Sequence, residues 1–198
     1  MATDLAEIVS RLTSFYDFAA RTIVAVGAGG GQLAEYARPA ARVVAVDPDG
    51  AAMERLRAAV EAKGLVGRYT FLLDDFLTVR PRGDVVLFEF CLHLLPDPEH
   101  ALAHASQLAP DVVVLDHAPG SRWMWCAAEE TGVAAAWTAV LGRNVRRTID
   151  VSATQRFADF PELEARLAAQ PPASRERIAS HRGQQDISID MPYRLALL

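Results

Sequence analysis

The run Val26-Gly27-Ala28-Gly29-Gly30-Gly31 directly follows a short stretch of β-branched residues. Small residues let a backbone approach a ligand closely, and a helix beginning there would turn free N–H groups towards an anionic or polar group. Asp47 closes the next apolar run. A carboxylate in that place can accept hydrogen bonds from both hydroxyls of a ribose. The glycines alone would also suit a plain turn; with Asp47 in register they point to a nucleotide-type ligand. Further on, Glu89 and the pair Asp116-His117 each end an apolar run. An imidazole titrates near neutral pH, so His117 suits a general base, with Glu89 as a second catalytic candidate.

These residues need a scaffold that brings strand ends together. Thr22–Val26 predicts a buried strand that stops at the glycines, followed by helix to about residue 37 and a stop at Pro39. Strands are predicted over 42–46, 69–73, 84–90 and 112–115, with weaker strand signals over 148–152 and 187–197, the last interrupted at Pro192. Helices are predicted over 4–20, 51–63, 98–108 and 160–169, with a helix or helices over 121–141, Asp97 as a cap and Pro98 at the first helical position of 98–108. Strands alternating with helices imply an α/β fold, doubly wound, with a mainly parallel sheet and helices on both faces. Ligands bind such sheets at the carboxyl ends of the strands, so residues just after each strand are the ones to watch.

The glycine spacing separates two kinds of ligand. A dinucleotide fingerprint needs its third glycine at position 32, which is Gln32. Gly27, Gly29 and Gly31 instead form G-x-G-x-G, which resembles the class I S-adenosylmethionine-dependent methyltransferases, a Rossmann-like family. The resemblance continues in order over about residues 20–118. Leu73-Asp74-Asp75-Phe76 is similar to the family's third-strand end, where one Asp faces the adenine amino group; Asp75 aligns better than Asp74. Asp84-Val85-Val86-Leu87 with Leu92-His93-Leu94-Leu95-Pro96-Asp97-Pro98 is similar to its fourth strand and continuation, and Ala109-Pro110-Asp111 to its turn before the fifth strand. S-adenosyl-L-methionine is the cofactor this implies, contacted by Gly27, Ala28, Gly29, Gly31, Asp47, Pro48, Asp74, Asp75, Phe76, Glu89 and Phe90. One position departs. The family usually has an acidic residue two places before the first glycine, which helps organise the methionine end of the cofactor; here it is Ala25.

Methyl transfer from a sulfonium is an in-line displacement, so the protein mainly aligns the groups and excludes water. His93 matches a family histidine and is expected, with Trp123 and Tyr16, at the substrate. Ser121-Arg122-Trp123-Met124-Trp125-Cys126 can form an aromatic wall over the pocket, or be a core helix; 121–145 is read as a possible pocket insert, and 1–20 as a short helical N-terminal segment. The apolar 121–141 segment could also be a homodimer interface.

A chain of 198 residues, 51% hydrophobic, suits a single domain with a real core. A net charge of −5 argues against a duplex-binding surface, so no nucleic-acid partner is expected. No apolar run is long enough to span a bilayer and no signal peptide is present, so no membrane partner is expected. Two cysteines are too few for a disulfide framework, and a reducing cytoplasm is the simplest compartment. Cys91, Cys126, His93 and His117 match no metal motif by spacing, so no metal is expected. The favoured reading is methyl transfer to a small-molecule acceptor. The alternatives are a silent adenosylmethionine-binding partner subunit, which Ala25 keeps open, and a nicotinamide-dependent oxidoreductase, which Gln32 opposes.

Overall fold

Four of the five residues of β1 (Thr22–Val26) are buried, because a strand at the centre of a parallel sheet has helices on both faces. A computed structural model, which describes residues 5–198, places nine strands among those residues. The others are β2 (Arg42–Asp47), β3 (Tyr69–Leu73), β4 (Val85–Glu89), β5 (Asp111–His117), β6 (Arg147–Val151), β7 (Thr154–Asp159), β8 (Gln185–Asp190) and β9 (Tyr193–Leu197). Seven form one sheet in the order β3-β2-β1-β4-β5-β9-β6. The first five of these run parallel, while β9 lies antiparallel between β5 and β6. β7 and β8 form a separate antiparallel ribbon. The strand order reverses at β1, which has β2 on one side and β4 on the other, and this opens a crevice at their carboxyl ends.

Side-chain alternation divides the interior into two layers. Val24, Val26, Val86 and Phe88 face α3 (Pro98–Leu108), α4 (Arg122–Ala127) and α5 (Glu130–Leu141). Ile23, Ala25, Val85 and Leu87 face α1 (Leu5–Phe15), α2 (Gly50–Ala62) and the 3-10 turn Ala34–Ala37. Caps fix the helix starts: Asp49 Oδ1 accepts from Ala51 N at 2.8 Å for α2, and Asp97 Oδ1 from His100 N at 2.9 Å for α3. Two short helices, α6 (Phe160–Arg166) and α7 (Pro172–Arg177), lie in the connection between β7 and β8.

The structure changes three expectations and resolves a fourth. The helix predicted after the glycines is reduced to the single 3-10 turn, since Gly29, Gly30 and Gly31 all have positive φ and cannot start a right-handed helix. The helix or helices predicted over 121–141 are two, parted at Ala128, whose φ of +61° turns the chain out of helical geometry between α4 and α5. The predicted last strand is two strands in different sheets, with Pro192 in the gap. β7 and α7 were not expected, and the leading helix ends at Phe15; Asp4, its predicted first residue, lies outside the described residues.

Candidate active site

The crevice is a cleft of about 850 Å³. Gly27, Ala28 and Gly29 form one wall, Asp47 and Pro48 a second, Asp75 and Phe76 a third, and Glu89 and Phe90 the floor towards β4. Gly27 is required twice over. Its φ is +65°, and a Cβ there would stand 2.4 Å from Cys91 Cβ, so the loop lies directly on the chain leaving β4. Cys91 Sγ donates to Val26 O at 3.1 Å and tightens the same contact. Gly31 serves the loop differently. Its Cβ would meet Ala59 Cβ at 2.7 Å, so it lets the loop pack on α2 and does not line the cleft. The expected cofactor contact at Gly31 is therefore corrected to a packing role.

Asp47 ends β2 at the cleft edge, 9% exposed. Its Oδ1 accepts from Asp49 N at 2.9 Å, which fixes the side chain; Oδ2 takes no hydrogen bond from the described residues. After β3, Asp75 lines the cleft, with Oδ1 accepting from Leu77 N at 2.8 Å. Asp74 does not line it; its Oδ1 accepts from Asp75 N and Thr78 Oγ1, each at 2.8 Å, so it builds the turn that presents Asp75. Phe76 is buried, edge-on to Phe88 and His104, and gives the cleft a flat apolar side.

Glu89 is the last residue of β4 and is buried. The Tyr36 hydroxyl donates to its Oε1. Burial lifts its pKa to about 7, against the opposing pull of that hydrogen bond. Phe90 follows with φ +50°, unusual for an aromatic residue, and its ring separates the cleft from His117 at a centroid distance of 4.8 Å.

Four residues expected near the acceptor lie elsewhere. His117 does not line the cleft: it is buried behind Phe90, its Nδ1 has no hydrogen-bond partner among the described residues, and burial lowers its pKa to about 4, with the His93 charge acting in the same direction. His93 is turned inward. Its Nδ1 lies 2.6 Å from Asp116 Oδ1 and its Nε2 3.7 Å from Glu129 Oε2, while its backbone N–H donates to Asp116 Oδ2 at 3.0 Å. Burial lowers its pKa, but the two carboxylates more than compensate and hold it at about 9. At neutral pH His93 is a cation that ties the 3-10 turn Leu92–Leu94 to β5 and to the start of α5. Tyr16 donates to Asp111 Oδ2 at 2.6 Å, and Asp111 begins β5, so Tyr16 is at the opposite edge of the sheet from the cleft. Trp123 does not line the cleft either; its indole stacks on Phe157 of β7 at 5.7 Å, in the apolar core.

Some of the lining had no counterpart among the expected residues. Gln32 and Leu33 extend the glycine wall, and Arg55 of α2 borders it, 3.7 Å from Asp49. Leu94 and Leu95 give the mouth an apolar side; Leu94 is 59% exposed, and its place in the Leu-His-Leu-Leu-Pro-Asp-Pro run was the available signal. Arg166, at the end of α6, reaches the cleft from the ribbon side, and nothing in the sequence near it announces that. Among the described residues no helix is long and apolar enough to cross a membrane.

Residues 23–110 match the family model of the methyltransferase domain. No curated protein matches the chain. A candidate methyltransferase of Bacillus halodurans superposes with a TM-score of 0.70 at 14% identity, over 96% of this chain and 97% of that one. A SAM-dependent methyltransferase of Aquifex aeolicus superposes at 0.63 with 15% identity, over 98% and 89%. The magnesium protoporphyrin IX methyltransferase of Synechocystis, solved with bound S-adenosylhomocysteine, superposes at 0.58 with 14% identity, over 97% and 80%. Residues 23–110 are thus similar to a methyltransferase domain, and the chain as a whole has the Rossmann-like fold of these methyltransferases, with its cleft at the switch point of the sheet.

Proposed function

We propose that the chain methylates a small-molecule acceptor. The observation that carries this reading is the cleft at the β1, β2 and β4 ends, where a free Asp47 oxygen, the Gly27–Gly29 turn and the Asp75–Phe76 wall converge. These residues fit the cofactor. Asp47 Oδ2 is open to ribose hydroxyls, Gly27 brings bare backbone to the cleft, and Phe76 offers an apolar face beside the Asp75 carboxylate for an adenine. The loop leads into a single 3-10 turn, not an α-helix, so it has no helix N-terminus to receive a pyrophosphate; that argues against a nicotinamide cofactor.

When bound, S-adenosylmethionine supplies an electrophilic methyl group. The chain's own part is to hold the adenosine, exclude water with Phe90, Leu94 and Leu95, and leave the mouth open to an acceptor. His117 is screened by Phe90 and binds protons weakly, so it is not the base expected of it. The acceptor is accordingly one whose nucleophilic atom needs no protein base, such as an amine or a readily ionised thiol or phenol. Arg166 at the mouth favours an acceptor with a negative group, and the net charge of −5 disfavours nucleic acid. A reducing cytoplasm suits the reading, since Cys91 and Cys126 are both free and buried.

Incubation with methyl-labelled S-adenosylmethionine tests this against three acceptor sets: a metabolite panel, total RNA and a protein extract. Label in a small molecule is expected. Label only in RNA or protein would overturn the small-molecule reading. Tight cofactor binding without transfer to any set would favour a silent binding subunit.

A further inference from the structure

Two strands meet where the methionine end of the cofactor would have to lie. Ala25 of β1 pairs with Leu87 of β4, and both belong to the layer facing α1 and the Ala34–Ala37 turn. Side chains alternate along a strand, so the next β4 residue on that same layer, one step closer to the cleft, is Glu89. Position 25 has only a methyl group, and the adjoining strand carries a carboxylate. That carboxylate is buried, lines the cleft, and is held through Oε1 by Tyr36. Its Oε2 takes no hydrogen bond from the described residues and is not sealed off from the cleft. No Lys, Arg or His is paired with it among the described residues. A buried carboxylate without a counter-charge is costly unless a ligand supplies one.

Resting on the reading of this cleft as the adenosylmethionine site, we infer that Glu89, held by Tyr36, binds the α-ammonium of the cofactor's methionyl group in place of the carboxylate missing at Ala25. Glu89 is then a cofactor-binding residue and not a base towards the acceptor. The role has a signature in pH. Free Glu89 titrates near 7, and pairing with an ammonium requires the ionised form. Affinity therefore rises as pH rises through 7, and binding near that pH releases a proton. Several other titratable groups face this corner. Burial lifts Tyr36, Tyr69 and Cys91 well above their usual ranges, while behind Phe90 His117 is held at about 4 and His93 at about 9. Asp47 and Asp116 are the remaining carboxylates near it.

The test is calorimetric titration of the full chain with two ligands between pH 6 and 8. S-adenosylhomocysteine carries the ammonium; 5′-methylthioadenosine keeps the adenosine and thioether but lacks the amino-acid end. The expected results are about tenfold tighter S-adenosylhomocysteine binding at pH 8 than at pH 6, proton release near pH 7 seen in buffers of different ionisation enthalpy, and flat 5′-methylthioadenosine binding. Glu89→Gln, which can still accept from Tyr36, is expected to weaken S-adenosylhomocysteine about 10- to 100-fold at pH 8 and remove its pH dependence, leaving 5′-methylthioadenosine unchanged. Tyr36→Phe, which loses a bond that stabilises the carboxylate, is expected to move the midpoint to higher pH. A pH-independent S-adenosylhomocysteine affinity in the wild type, or equal effects of Glu89→Gln on both ligands, overturns the inference and leaves the cofactor site standing. Failure of both ligands to bind the folded wild type overturns the site itself.

Discussion

At the scale of single residues, the proposed function rests on carboxylates for which the described residues supply no counter-charge. Asp47 has one oxygen fixed by Asp49 N and the other open to the cleft. A carboxylate–hydroxyl hydrogen bond contributes about 1.5–3 kcal/mol, so Asp47→Ala is expected to weaken S-adenosylhomocysteine binding about 10- to 150-fold without unfolding the chain. Calorimetry on the variant, with a thermal melt as control, checks this; an unchanged dissociation constant would place the ribose elsewhere. Glu89 makes the opposite kind of prediction, about stability. Its pKa is raised from 4.5 to about 7, so the fold favours the protonated form. The associated stability is complete below pH 4.5 and is lost as pH rises through 7, a difference of about 3 kcal/mol. Glu89→Gln, neutral throughout, should resist denaturant better than wild type at pH 8 and show little difference near pH 4.5; equal midpoints at pH 8 would contradict the buried, uncompensated carboxylate. Asp47, Gly27 and Asp75 were legible in the sequence because each sits a fixed step from a strand end. Tyr16 and Trp123 were not, because an aromatic residue in an apolar pattern says that it is buried, not which end of the sheet or which partner buries it.

Elements explain why two expected acceptor residues became structural. The Leu92–Leu94 turn passes under α5 so closely that a Cβ on Gly132 would stand 2.3 Å from His93 O, and His93 then lies between Asp116 and Glu129. Its pKa is raised from 6.5 to about 9, so its contribution is complete below pH 6.5 and lost as pH rises through 9. Denaturant midpoints of the wild type should fall between pH 7 and 10, and those of His93→Gln should fall less; parallel profiles would show that the histidine is not a charged tie. Trp123 belongs to the contact of α4 with the β7–β8 ribbon. Trp123→Ala is expected to cost about 3–5 kcal/mol of stability and to leave the acceptor Michaelis constant of the folded enzyme unchanged. A raised Michaelis constant with normal stability would return this residue to the pocket. The ribbon itself escaped the sequence because β7 presents Gln155 and Phe157 inward, and a buried glutamine hides the apolar alternation that marks a strand. The helix expected after the glycines was overestimated for a different reason: the composition there permits helix, while the backbone of three consecutive glycines with positive φ does not start one, and only the Ala34–Ala37 turn forms.

Across the whole molecule, the parallel strands and the order of motifs from residue 22 to residue 117 follow from short-range patterns, so the half of the site they build was readable in advance. The part that depends on residues far apart in sequence was not: β9 inserted between β5 and β6, the ribbon, and Arg166 brought to the cleft mouth from α6. The central claim is that adenosylmethionine lies across the switch point at β1, with its ribose on Asp47. A crystal structure of the chain with S-adenosylhomocysteine tests this most directly. The expected result is both ribose hydroxyls within hydrogen-bonding distance of Asp47, the adenine between Asp75 and Phe76, and the amino-acid end beside Gly27 and Glu89. A ligand bound outside this cleft, or one whose ribose makes no contact with Asp47, would contradict the account.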